Sequence, residues 1–188
     1  MLEQRIEPTL MSFDSKFGLM NIRQATTADA PLVLDFLRDF RAEGLQTVLQ
    51  HASLPTAQDE ETFIQRLDGA ARAMFVALDD ERVVGCLNAR VYRHPQFRHT
   101  CEFGVGVLKS HRGAGVGSGL IGGLLQWSRQ RGLRRIELTV VASNTAAIGL
   151  YRRLGFKEEC RKVGAIRRGA RYEDVIHMAM RVEGAVAE

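Results

Sequence analysis

The sequence predicts an α/β domain built on a mixed β-sheet with flanking helices, on the strength of three observations. Strand-like residues 100–107 pass through a glycine-dense turn into an amphipathic helix, and a β-branched run follows at 135–141. Strand, helix and strand in that order make a parallel pair with a right-handed crossover. Two apolar runs at 73–78 and 82–91, joined by Asp79 and Asp80, read instead as an antiparallel hairpin. Two strand segments near the end, at about 156–163 and 172–181, complete the mixed sheet. At 188 residues the chain is most economically one domain with a sizeable core.

Taken in order, residues 1–19 read as an extension, a strand opening at Met20 begins the domain proper over 20–182, and 183–188 form a tail. Thr26 or Thr27 caps a helix over about 28–41, with Pro31 in its first turn and Leu32, Phe36, Leu37 and Phe40 along one face. Gly44 ends it, residues 45–58 are irregular, and Phe63, Ile64 and Leu67 mark a second helix over about 59–68. After the hairpin and a polar loop comes the strand 100–107. Its Cys101, Phe103, Val105 and Val107 take one face and Glu102, Gly104 and Gly106 the other, provided no bulge changes the alternation. Two glycines on one face leave a strip of bare backbone. The next helix carries an apolar stripe of Val116, Leu120, Leu124 and Trp127, which must be buried because each interior glycine costs about 1 kcal/mol against alanine. Residues 135–141 have the composition of a buried strand. Asn144 caps a short helix reaching Leu154, and Gly155 stops it.

The composition, 45% hydrophobic and 26% charged, is that of an ordinary soluble protein. No apolar run approaches a membrane span and no secretory signal opens the chain, so the expected location is cytoplasmic, without membrane contact. A formal charge of +4, with arginines mixed among acidic residues, favours a small polyanion over nucleic acid as the partner. Cys86, Cys101 and Cys160 are odd in number and far apart, which suits reduced, mostly buried thiols. His94, His99 and Cys101 lie close in sequence, but scattered histidines in a strand-connecting loop are ordinarily solvated, so no metal is expected.

The stretch 105–123, VGVLKSHRGAGVGSGLIGG, is the most informative part of the chain. Amide groups left unpaired at a helix start, with the positive end of the helix dipole behind them, hold phosphate oxygens. Gly113, Gly115 and Gly117 let a ligand lie directly on the backbone, and Arg112 adds a charge. The competing reading is that these glycines serve only close packing. Gly117, Gly119 and Gly122 also match the dinucleotide pattern G-x-G-x-x-G with Glu137 downstream. Residues 108–116 separate those glycines from the strand, however, and Glu137 falls near the start of its own strand, out of reach of a ribose. A P-loop is excluded because no Lys-Ser or Lys-Thr follows the glycines.

These residues resemble the GNAT superfamily of acetyl-CoA-dependent N-acetyltransferases. Arg112, Gly115 and Gly117 stand in its R/Q-x-x-G-x-G/A turn, and a second block supplies Asn144, Ala146, Ala147, Tyr151, Gly155 and Phe156. The resemblance spans about 20–181 and implies a twisted sheet whose parallel strand pair splays apart. It implies that acetyl-CoA, as co-substrate, rests its pyrophosphate on the amides of Arg112, Gly113, Ala114, Gly115, Val116, Gly117 and Ser118. Its pantetheine arm then runs between the splayed strands past Val105 and Val107, near Asn144 and Ala147. Backbone N–H groups around Val105 to Val107 polarise the thioester, Tyr151 protonates the coenzyme thiolate, and Glu102 accepts the ammonium proton directly or through water. For Glu102 a plain salt-bridged strand carboxylate is an equal alternative, and for Asn144 a plain helix cap. The expected function is acetyl transfer to a primary amine of a small molecule or of a protein N-terminus, with a homodimer as a possible assembly. A non-catalytic acetyl-CoA sensor or partner-binding module is the alternative. Arg161, Lys162, Arg167, Arg168 and Arg171 lean toward a carboxylate-bearing amine or an acidic peptide terminus, or are a solvated turn.

Overall fold

The computed structural model describes residues 11–15, 18–44, 54–67 and 70–183. Among these residues eight strands form one sheet in the order β1-β2-β3-β4-β5-β6-β8-β7. They are β1 (Met11–Ser15), β2 (Gly18–Gln24), β3 (Arg72–Asp79), β4 (Arg82–Val91), β5 (Thr100–Val107), β6 (Arg135–Val141), β7 (Lys157–Arg168) and β8 (Arg171–Arg181). Among the described residues four α-helices accompany them: α1 (Ala30–Ala42), α2 (Ala57–Gln65), α3 (Val116–Gln130) and α4 (Thr145–Arg153). All pairings are antiparallel except β5 with β6.

Several expectations need correcting. Met11–Ser15 pairs with β2, so the sheet begins inside the segment read as an extension. The second helix starts two residues earlier than expected, because Thr56 closes a capping box with Asp59. Its expected last residue, Asp68, lies outside the described residues, as do 45–53 of the irregular stretch. Thr26 caps a 3-10 turn, Thr27–Asp29, which then runs into α1. Cys160 is exposed, while Cys86 and Cys101 are buried, which pushes both thiols up to about 12.

The β4/β5 register runs without a shift from Gly85↔Val107 to Val91↔Cys101, so no bulge breaks the alternation in β5. Odd residues face α3 and α4: Phe103 meets Tyr151, and a Cβ on Gly85, the partner of Val107, would lie 2.9 Å from Val116 Cγ1. Even residues face α1. A Cβ on Gly106 would lie 3.0 Å from Phe40 Cζ, so this glycine admits the α1 aromatic pair of Phe36 and Phe40. At Gly106, therefore, the expected bare strip is filled by a helix.

Helix α3 illustrates how burial overrides propensity. Its four glycines, Gly117, Gly119, Gly122 and Gly123, together cost about 4 kcal/mol. Val116, Leu120, Ile121, Leu124 and Trp127 are buried, and each contributes about 1.5–3 kcal/mol, which outweighs that cost.

At the entry to α1, the Asp29 carboxylate accepts from the Thr26 amide at 2.7 Å and from Arg23 at 2.6 and 2.7 Å. Burial raises its pKa, but the bonds from Arg23 and Thr26 outweigh that and leave it below the ordinary value of 3.8. The stabilisation is therefore complete above about pH 4 and is lost as pH falls through the lower folded value. Asp29→Asn is expected to cost about 1–3 kcal/mol at pH 7 and to flatten the acid limb of stability, as measured by urea unfolding against pH.

Candidate active site

The glycine turn is built by backbone geometry. Gly113 and Gly115 have φ of +72° and +90°, conformations that L side chains rarely adopt, and Gly115 is the residue from which α3 starts. Gly119 N–H is bonded to Gly115 O at 2.9 Å, so the amides of Val116, Gly117 and Ser118 precede the first intrahelical bond. A Cβ on Gly117 would lie 3.1 Å from Leu150 Cδ2. Close packing and open amides are therefore both reasons for these glycines. Ala114 is buried beneath the turn.

Arg112 departs from expectation. Its Nε donates to Val107 O at 3.0 Å and its guanidinium pairs with Glu43, whose other oxygen accepts the Lys109 amide at 2.6 Å. Its own amide donates to Lys109 O at 3.4 Å. Arg112 thus ties the turn to β5 and to the end of α1, and among the described residues the unpaired amides begin after it. Glu43 is invisible to sequence reasoning, because nothing local to α1 announces a partner so far along the chain.

Strands β5 and β6 pair only at Thr100↔Arg135, Cys101↔Ile136 and Glu102↔Glu137. Beyond Glu102 and Glu137 no register joins them, and a gap opens whose wide end lies toward the glycine turn. Leu108 N–H bonds Val84 O and Tyr92 N–H bonds Thr100 O, so even positions of β5 hydrogen-bond to β4. By the alternation of antiparallel ladders, the amides of Phe103, Val105 and Val107 turn to the gap. Side chains of Val105 and Val107 are half-buried on the α3 and α4 side.

Tyr151 of α4 belongs to an aromatic cluster with Phe103 and Phe156, at ring-centroid distances of 6.1 and 5.9 Å. Burial pushes its hydroxyl up to about 12. Among the described residues that hydroxyl has no hydrogen-bond partner. Asn144 caps α4 through Oδ1, which accepts from the Ala147 amide at 3.2 Å.

The narrow end of the gap is polar. Glu102 forms an ion pair with Arg90 at 2.8 Å. Beside it Glu137 is buried, accepting from Tyr92 Oη at 2.8 Å and from Arg135 Nε at 2.8 Å, with His177 Nε2 at 3.5 Å. Burial raises the Glu137 pKa, but the bonds from Tyr92 and Arg135 and the nearby His177 outweigh that and leave it lowered. Sequence reasoning singled out Glu137 only as a discarded ribose ligand and missed Tyr92 and His177. Only the strand register brings those two to it.

A family model for the acetyltransferase (GNAT) family matches residues 35–156. This covers the glycine turn, both diverging strands and the α4 block. The chain belongs to the GNAT acetyltransferase family. It is 37% identical over 109 residues to an L-amino acid N-acetyltransferase of Escherichia coli, covering 55% of this chain and 65% of that protein. It is 30% identical over 139 residues to an L-methionine sulfoximine/L-methionine sulfone acetyltransferase of Pseudomonas paraeruginosa, covering 73% and 80%. A Salmonella typhimurium structure with its cofactor acetyl-CoA superposes with a TM-score of 0.78 at 21% identity, over 89% of this chain and 96% of that one. As a GNAT acetyltransferase the protein is an acyltransferase that draws on acetyl-CoA, and the open amides and the gap fit such a donor. Among the described residues no helix is long and apolar enough to cross a membrane.

Proposed function

We propose that this GNAT acetyltransferase acetylates the primary amine of a small amino-acid-like molecule. The observation that carries this reading is the gap between β5 and β6, with open amides at its wide end and two carboxylates, Glu102 and Glu137, at its vertex. Relatives named for L-amino acids and for methionine derivatives support that acceptor. The basic β7/β8 hairpin adds little, since Arg161 pairs with Asp174 and Arg168 with Glu173.

Acetyl-CoA, when bound, supplies a thioester that the acceptor nitrogen attacks directly, through a tetrahedral intermediate. The amides of residues 113–118 hold its pyrophosphate, with Arg112 fixing the turn rather than pairing with phosphate. The gap-facing amides of Val105 and Val107 stabilise the developing oxyanion, and Tyr151 delivers a proton to the sulfur. Asn144, its Oδ1 committed to the helix cap, addresses the pantetheine arm through Nδ2, beside Ala147. Glu102 faces the ammonium and takes its proton directly or through water.

The test is thiol release with L-amino acids, N-terminal peptides and polyamines as competing acceptors. L-Amino acids are expected to be preferred, and a preference for peptides or polyamines would refute the acceptor class. Glu102→Gln is expected to slow turnover most at low pH, where the amine is protonated. An unaltered pH profile would leave Glu102 a partner of Arg90 only.

A further inference from the structure

We propose that His177, oriented by Glu137, is the group that carries the acceptor's ammonium proton away from the vertex. The proposal rests on the acyl-transfer reading above, in which Glu102 takes the proton at the vertex, and adds His177, which that reading does not use.

Alternation places Glu137 and Thr139 on the face of the sheet that Glu102 occupies, since Glu102 and Glu137 are register partners. Thr139 is the register partner of His177 in β8, so the imidazole stands on that same face, one strand away from the gap. Its Nε2 lies 3.5 Å from Glu137 Oε2 and its Nδ1 lies 3.5 Å from Thr139 Oγ1. A carboxylate charge nearer to one ring nitrogen favours the proton there, which leaves the other nitrogen as a base. Here the carboxylate faces Nε2, so the lone pair is on Nδ1, beside Thr139, the next β6 residue on this face beyond the last β5 partner. Glu137 is itself fixed by Tyr92 and Arg135, so it keeps its place and its charge. The ring is a quarter exposed, with 24% of its side-chain surface accessible, which gives the proton an outlet to solvent.

The charge balance requires such an outlet. An ammonium and a thioester give an amide, a free thiol and one proton. The first nitrogen proton passes to Glu102, directly or through a water, then through a water to His177 Nδ1 and on to solvent. The carbon–nitrogen bond forms, the carbon–sulfur bond breaks, and the second nitrogen proton reaches the sulfur by way of Tyr151. No further reactant is needed. The titratable or charged groups facing the imidazole or its carboxylate are Glu137 and Arg135 on β6, Glu159 and Cys160 on β7, Glu102 on β5, and Tyr92 after β4.

The experiment is kcat/KM for the acceptor against pH, at saturating acetyl-CoA, for the wild type, His177→Gln and Glu137→Gln. A base must be neutral to act, so the wild-type rate is expected to rise with pH to a plateau. His177→Gln is expected to lose that limb and to fall on the order of a hundredfold on the plateau, with added imidazole restoring part of the rate. Glu137→Gln, which removes the carboxylate that orients the ring, is expected to lower the plateau by less than His177→Gln does. Acetyl-CoA affinity measured by calorimetry stays unchanged in both variants. A His177→Gln enzyme with the wild-type limb and rate overturns the proposal alone. A wild type that releases no thiol with any amine overturns the acyl-transfer reading and this proposal with it.

Discussion

Gly115→Val is expected to weaken acetyl-CoA binding by about a hundredfold or more while leaving the sheet intact. Gly115 holds φ at +90° at the residue from which α3 starts. A left-handed conformation costs an L residue about 1–2 kcal/mol, and a β-branched side chain fits it least well. The chain relieves that strain by rotating the peptide that begins the helix, which turns the amides of Val116 and Gly117 away from their common focus. Each charge-assisted bond lost is worth about 1.5–3 kcal/mol, so losing two accounts for the expected factor. Calorimetric titration measures it, with far-ultraviolet circular dichroism as the control for folding. Gly113→Ala separates strain from contact, since a Cβ there meets nothing within 4 Å and only the φ of +72° resists it. Unchanged affinity in Gly115→Val would move the phosphate site elsewhere.

Tyr151→Phe is expected to lower kcat on the order of a hundredfold and to leave the acetyl-CoA dissociation constant within about twofold. The ring packs against Phe103 and Phe156, and these contacts survive the change. The hydroxyl has no partner among the described residues, so removing it leaves no orphaned group behind. With its pKa at about 12, the hydroxyl keeps its proton throughout the neutral range, and the defect is therefore independent of pH there. The same value has a mechanistic consequence. A free thiolate is a weaker base than this tyrosinate, so Tyr151 gives up its proton only as it receives the one leaving nitrogen. Full turnover in the variant, measured by thiol release at saturating substrates, would remove Tyr151 from the mechanism.

Much of the fold was legible because the signals were local. The hairpin turn at Asp79 and Asp80, the apolar stripe of α3 and the stop at Gly155 each lie within a few residues of what they determine. The parallel pair followed from element order alone. Less legible was anything that depended on which strand lies beside which. Gly106 was read as bare backbone because Phe40 of α1, which fills the space, is remote in sequence. Arg112 was read as a phosphate ligand because its partner Glu43 stands 69 residues away. His177 carried no signal at all until the β6/β8 register set it opposite Thr139. The membership of β1 in the sheet was missed for the same reason, since pairing with β2 is what makes Met11–Ser15 a strand.

The most direct measurement is thiol release from acetyl-CoA by the purified protein, with and without L-amino acids, alongside Tyr151→Phe. The predicted result is release that depends on the amine, saturates with it, and falls on the order of a hundredfold in the variant. Tight acetyl-CoA binding with no amine-dependent release from the wild type would contradict the account and leave the protein a coenzyme-binding module on an acetyltransferase fold.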